Sequence, residues 1–433
     1  MERLLLDGKT LKLEDLLAVS RREVRVAIAP AARATLEQGQ QPPGPEAQRL
    51  RNRVLSHAAA LGQPIRTAEV RALMLLLANA LSRGGEGVRL ATADLLLEML
   101  DHNCIPIVPE GGLSDPAALA HLALVLGGDG EAFLDGRRLP GGEALSRLEL
   151  RPVVLQPGEG HLLLDGGEPA LAVGALALLR AGHLAGVADL AGALTLAGLQ
   201  VSPASLLPDP PASESPGRML AAAHLRDLLA GSPALSAPCP DAILSLPKVH
   251  GTARDDIALC RDVLGRELNT PEPAVNQKEP RGPSMATALE LLARAAAQLT
   301  ELSLERVELL VSAPGLPAFL TPRPDLHFGF KAAPLTHSAL VAQNRLHCQP
   351  GPPGIAAAIK TRQVVENLRT GLAIELLAAA QAIDLRRPLR PWGRLAEAHA
   401  RIRGSIPHLD EDRILHREIE SMCRLIDDGV MEM

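Results

Sequence analysis

The sequence predicts an all-α protein, mainly a helix bundle, with a small α+β region at the N-terminus. Three observations lead there. Leucine and alanine recur at helical spacing through long runs, 47% of the 433 residues are hydrophobic, and only two short segments alternate like strands. The chain can therefore bury a large core, as one elongated domain or as two closely joined ones.

In chain order, Leu4 to Leu13 is strand-like, and the first helical run is Ala68 to Leu81, followed by Leu119 to Leu126. Glu131 to Arg138 is a second strand-like segment, and its Asp135-Gly136 pair is a hairpin turn signal. Ala170 to Leu199, Ala286 to Leu310 and Ile355 to Ile383 are the longest helical runs, rich in alanine that lets neighbouring axes approach closely. Breaker clusters at 39–45, 108–116, 202–217 and 348–354 mark loops between them. There is no internal repeat.

Composition excludes several functions. The formal net charge is −6 and no long basic run exists, so nucleic acid is not an expected partner. The five cysteines are scattered without a CxxC pair, which argues against zinc and fits a reducing cytoplasm. The first residues lack the uninterrupted apolar core of a signal peptide. Arg180, His183 and Asp189 interrupt the most apolar stretch, so it reads as a buried bundle helix, with no membrane expected. There is no tyrosine, so no step can use a phenol, and the core must be Leu, Ala and Val around four phenylalanines and Trp392. The motifs HExxH, GxSxG, GxxxxGK[ST] and DxDxDG are all missing.

Seven strings spread over most of the chain carry a more specific signal: VLSHAAALGQPI (54–65), MLLLANALSRGGEGVR (74–89), DPAALAHLALVLGGDGEAF (115–133), KVHGTARDDIALCRDVLGRELN (248–269), LPAFLTPRPDLHFGF (316–330), LAIELLAAAQAIDLRRPLRP (372–391) and PHLDEDRILHREIE (407–420). In order and separation they resemble the histidine and aromatic amino acid ammonia-lyase family, histidine ammonia-lyase above all. The resemblance implies a fumarase/aspartase-like fold: an N-terminal region over residues 1–107, a long-helix bundle over 108–433, and four subunits with pockets where they meet. It implies a partner of the same kind, in a homotetramer or in a mixed tetramer with a catalytic paralogue, and a possible small-molecule ligand.

Working members of that family cyclise and dehydrate an Ala-Ser-Gly tripeptide into a methylidene-imidazolone electrophile. The family pattern GASGDLAPLAHLA aligns with GGLSDPAALAHLA from Gly111 to Ala123, which sets Gly112, Leu113 and Ser114 at the tripeptide. Leu113 has no hydroxyl to eliminate, so the cofactor is expected to be absent. Asp241 and Leu244 stand in the string that holds a tyrosine and an arginine in the family, and Asp165 and Glu168 replace its asparagine and glutamine. The loop bearing the N-terminal tyrosine is missing, and a late loop is contracted to HCQPGPPG. His57 matches a pocket histidine of histidine-specific members, although a histidine among alanines is commonly a packed, hydrogen-bonded residue. Lys248, His250, Lys278, Arg281, His327 and Lys331 fall in segments that face the pocket in relatives; together they would hold an anion, unless solvated or paired with acids.

The sequence is therefore expected to encode a non-catalytic paralogue with a scaffold, regulatory or ligand-binding role. The alternative is a lyase or other enzyme of changed, ring-independent chemistry on a small anionic or amino-acid-like substrate, with His57 or Asp165 as base and Lys248, Arg281 or Lys331 holding the anion.

Overall fold

In the computed structural model, residues 3–38, 46–85, 87–111, 114–203, 214–233, 235, 237–270, 282–388 and 390–431 are described. The chain divides into two compact units. The first comprises Met1–Leu179, Arg261–Leu289 and Gly351–Ile359, and the second Arg180–Cys260, Glu290–Pro350 and Lys360–Met433.

The first unit begins with β1 (Arg3–Leu6), α1 (Leu13–Ser20) and β2 (Arg25–Ile28), the two strands pairing in parallel with Leu6 opposite Ile28. The expected strand over Leu4 to Leu13 thus ends at Leu6. Asp7 stops it: its carboxylate accepts the backbone N–H groups of Lys9 and Thr10 at 2.8 and 2.9 Å, which turns the chain toward α1. Then follow α2 (Pro30–Gln38), α3 (Glu46–His57), β3 (Leu61–Pro64), α4 (Thr67–Ser82), α5 (Leu90–Asp101), β4 (Ile105–Pro106), β5 (Pro109–Gly111) and α6 (Asp115–Leu126). Every residue of α4 from Glu69 to Ser82 is buried, so α4 is the central helix of this unit. One of them is Arg71, whose guanidinium donates to the carbonyls of Val19 and Leu100 at 2.9 and 3.0 Å; burial lowers its pKa to about 10.

The predicted hairpin forms as β6 (Glu131–Leu134) and β7 (Arg137–Pro140), with Asp135 and Gly136 both at positive φ in the turn and β4 on the other side of β6. Helices α7 (Gly141–Arg147) and α8 (Pro157–Leu164) complete this part. The region 108–116, expected to be loop, holds β5, which pairs antiparallel with β3.

The long helices follow as α9 (Glu168–Leu199), α10 (Pro216–Leu228), α11 (Asp241–Leu244), α12 (Leu246–Glu267), α13 (Gly282–Ser312), α14 (Ala333–His347), α15 (Ile355–Leu385), α16 (Gly393–Ser405) and α17 (Leu415–Asp427). All five predicted helical runs lie in helices, and α9 is the buried helix its composition implied: two thirds of its most apolar window is covered. In the second unit small residues let helices meet closely. A Cβ on Gly192 of α9 would stand 2.7 Å from Leu246 of α12, and one on Gly198 would stand 3.0 Å from Ala382 of α15.

Candidate functional site

In the first unit the starts of three helices converge on one carboxylate. Ser114 is the N-cap of α6, its Oγ accepting the Ala117 N–H at 3.4 Å, and Asp115 is the first helical residue. The Asp115 carboxylate accepts the N–H of Ala170, in the first turn of α9, at 3.0 Å and the N–H of Ile355, the first residue of α15. Gly354 sits at φ +77°, and a Cβ there would fall 2.1 Å from Asp115 Oδ2, so the cradle requires glycine. Helix N-termini favour negative charge, and Asp115 supplies it. Burial nevertheless outweighs these hydrogen bonds and pushes the Asp115 carboxyl up to about 6.

Strand pairing brings the chain just beyond His57 to this place, because Leu61 of β3 lies opposite Gly111, the last residue of β5. Gly112 and Leu113 lie outside the described residues, as do Lys278 and Arg281.

Nearby in sequence, His57 ends α3 half-buried, its Nδ1 at 2.8 Å from the Arg53 carbonyl and 3.2 Å from Ser56 Oγ. The Arg53 guanidinium reaches the carboxylate of Asp165, the C-cap of α8, with Nη1 at 3.2 Å from Oδ2, and His161 lies 3.5 Å from the same acid. Arg53 therefore ties His57 to Asp165 by its main chain and its side chain. Glu168 is buried at the first residue of α9, where its charge suits the helix dipole; Gly166 leaves room for it, since a Cβ there would be 1.8 Å from Glu168 Oε2.

The remaining candidates belong to the second unit. Lys248 is exposed in the first turn of α12, and Asp241 and Leu244 are exposed at the ends of α11. Lys331 lies over the rings of Phe319 and Phe328, 5.4 and 5.1 Å from their centroids. His327 Nε2 is 3.0 Å from Arg323 Nη2, while Asp412 receives the N–H groups of Phe328 and Gly329 at 2.8 Å each, which lowers its carboxyl pKa. Of the described members of the basic set read from the sequence, His327 and Lys331 lie in the segment before α14, while Lys248 lies in the first turn of α12. His250 is fully buried with Nδ1 2.7 Å from Asp189, a committed core group.

That contact belongs to a network that sequence reasoning missed. The Asp189 carboxylate is held by His224, His250 and Arg254 at 2.7, 2.7 and 2.6 Å, which together depress its pKa against the effect of burial. Arg306, fully buried on α13, places its fork on Glu375 of α15 at 2.5 and 2.7 Å, and Ser303 and Thr195 donate to the same carboxylate at 2.6 and 2.9 Å. The available signal was an acid or arginine inside each long apolar run: Asp189, Arg306 and Glu375. Among the described residues no group of His, Cys, Asp and Glu is arranged to hold a metal ion.

Comparison with known proteins gives a consistent result. The profile of the aromatic amino acid lyase family matches residues 40–354 and 351–404. Histidine ammonia-lyase of Anaeromyxobacter sp. (strain K) is 48% identical over 508 aligned positions that cover 100% of both chains. Since this chain has 433 residues, internal stretches of that relative have no counterpart here. Histidine ammonia-lyase of Myxococcus xanthus (strain DK1622) is 39% identical, covering 99% of this chain and 97% of the other. The crystal structure of histidine ammonia-lyase from Trypanosoma cruzi superposes with a TM-score of 0.89 at 29% identity, covering 99% of this chain and 94% of that one.

Proposed function

This chain belongs to the aromatic amino acid lyase family, and we propose that it is a histidine ammonia-lyase-like member that no longer eliminates ammonia from an amino acid. The observation that carries this reading is Gly112-Leu113-Ser114 where ring-forming members have Ala-Ser-Gly, in a chain that holds no tyrosine to act as base. Ring closure needs a hydroxyl on the central residue and a small following residue whose nitrogen can attack. Leu113 offers no hydroxyl. Moving the frame by one residue makes Ser114 central, but its oxygen accepts the first-turn N–H of α6, and the residue that follows is the half-buried Asp115, anchored by α9 and α15. These residues do not fit a methylidene-imidazolone.

The positions that would recognise substrate point the same way. Asp165 and Glu168 bring carboxylates, which accept hydrogen bonds without donating, where an amide would also donate, and Asp165 is paired with Arg53. Asp241 and Leu244 supply neither the phenol nor the guanidinium of their family string. The Arg53 contacts also weigh against His57 and Asp165 as free bases of a ring-independent enzyme, since both are engaged. What is kept is the helical scaffold, and with it we assign the chain a cytoplasmic role in assembly, regulation or ligand binding, as a homotetramer or in a mixed tetramer with a catalytic paralogue.

The test is turnover. Purified protein incubated with histidine, phenylalanine and tyrosine should give no rise in the ultraviolet absorbance of the corresponding unsaturated acids. Sustained formation of any one of them overturns the proposal.

A further inference from the structure

In the first unit α3, the C-terminal half of α6 and the extended segment 153–155 enclose a cavity of about 320 Å³. Its floor is apolar, built from Ala47 and Val54 of α3, Ala123 of α6 and Leu155, all buried, with the exposed Val154 at the rim. Across the mouth Arg51 Nη2 meets Asp129 Oδ2 at 2.8 Å, both side chains roughly half exposed. Asp129 is set there by a tight turn, its N–H bonded to the Leu124 carbonyl at 2.9 Å between Gly128 and Gly130, both at positive φ.

We propose that this cavity binds a free α-amino acid zwitterion with an apolar side chain. A guanidinium and a carboxylate side by side present the two charges that an amino acid's carboxylate and ammonium require. The ligand enters as a bridge: its carboxylate pairs with Arg51, its ammonium with Asp129, and its side chain fills the space over Ala47, Val54 and Ala123. Separating the resident pair costs little, because an ion pair this exposed is weak and screened, and each partner gains a new counterion. A purely anionic or cationic ligand would satisfy only one rim charge. The volume suits the guest. Ligand pockets begin at roughly 300 Å³, and an apolar cavity of about 150 Å³ already admits benzene.

The site is separate from the cluster around Asp115. Helix α6 has 12 residues, so at ~1.5 Å per residue its two ends lie about 18 Å apart. The inference therefore does not rest on the proposed loss of lyase activity.

Isothermal titration of the full chain with L-leucine and L-phenylalanine tests it, alongside 4-methylpentanoate and isoamylamine, which each carry one of the two charges. At least one amino acid should bind once per chain, about tenfold or more tighter than either single-charge analogue. Arg51→Met and Asp129→Asn, both at exposed positions and checked for folding by circular dichroism, should each weaken amino acid binding about tenfold, while Arg147→Met, exposed at the end of α7, leaves it unchanged. No saturable heat from either amino acid at millimolar concentration overturns the proposal. So does binding that survives both rim substitutions, or binding of the single-charge analogues as tight as that of the zwitterion.

Discussion

The cluster at the start of α6, where Asp115 is half-buried, and the buried ion network of the second unit are both polar, but they are constrained differently. In the network each acid has a charged partner: Asp189 has Arg254, beside two histidines that hydrogen-bond to it, and Glu375 has the full fork of Arg306. Removing one member strands another in the low-dielectric interior, so the helices that carry them hold these residue types for the sake of the fold. At the start of α6 the polar demand is met largely by main-chain groups, with the N–H groups of Ala170 and Ile355 on Asp115 and that of Ala117 on Ser114. Those bonds are made by the Ser114 and Asp115 side chains with the main chain of α6, α9 and α15. On the proposed reading, the chemistry is lost from this helix start while the bundle persists.

The comparison can be broken first at Glu375. Glu375→Gln should destabilise the chain by about 3–5 kcal/mol, because Arg306 keeps its charge without a counterion, whereas Arg306→Met combined with Glu375→Leu should cost clearly less than either change alone. Denaturant midpoints measure both; equal costs for the single and double variants would remove the distinction.

A smaller, pH-dependent effect comes from His337, fully buried on α14, whose pKa burial pushes down to about 4 from an ordinary value near 6.5. Between those values the unfolded chain binds a proton at this residue that the folded chain refuses, so the contribution of His337 to stability falls as pH drops from about 6.5 to about 4, opposed below about pH 6 by the raised Asp115 carboxyl. His337→Leu should flatten that slope by up to about 1.4 kcal/mol per pH unit. His250, also lowered by burial, keeps part of the slope in the variant. An unchanged profile would show that His337 titrates alike in both states.

Ser114 gives the smallest effect and sharpens the other side of the comparison. As a helix cap, Ser114→Ala should cost about 1 kcal/mol in thermal or chemical denaturation. A variant that loses an activity while keeping its stability would mark Ser114 as a reacting group instead.

Much of the fold was legible because local patterns were strong. The runs beginning at Ala68, Leu119, Ala170, Ala286 and Ile355 all became helices, and Asp135-Gly136 made its turn. The strand over Leu4 to Leu13 was shortened by a side-chain to backbone bond at Asp7 that alternation alone does not encode. The pairing of Leu61 with Gly111 was hidden because LGQP and PEG have the composition of loops and meet only through tertiary structure. Within the candidate site the substitutions at 112–114 were readable against the family pattern. Their setting was not: no spacing rule places Ala170 and Ile355 on Asp115, or joins His57 and Asp165 through Arg53. Asp189 was read only as an interruption of an apolar run, because its three partners lie on α10 and α12.

The central claim is that this chain keeps the lyase scaffold without the lyase electrophile. Mass spectrometry of a peptide spanning Pro109 to Ala118 tests it without reference to any substrate. The claim predicts the mass of the unmodified sequence; a peptide lighter by the two waters that cyclisation and dehydration expel would contradict it.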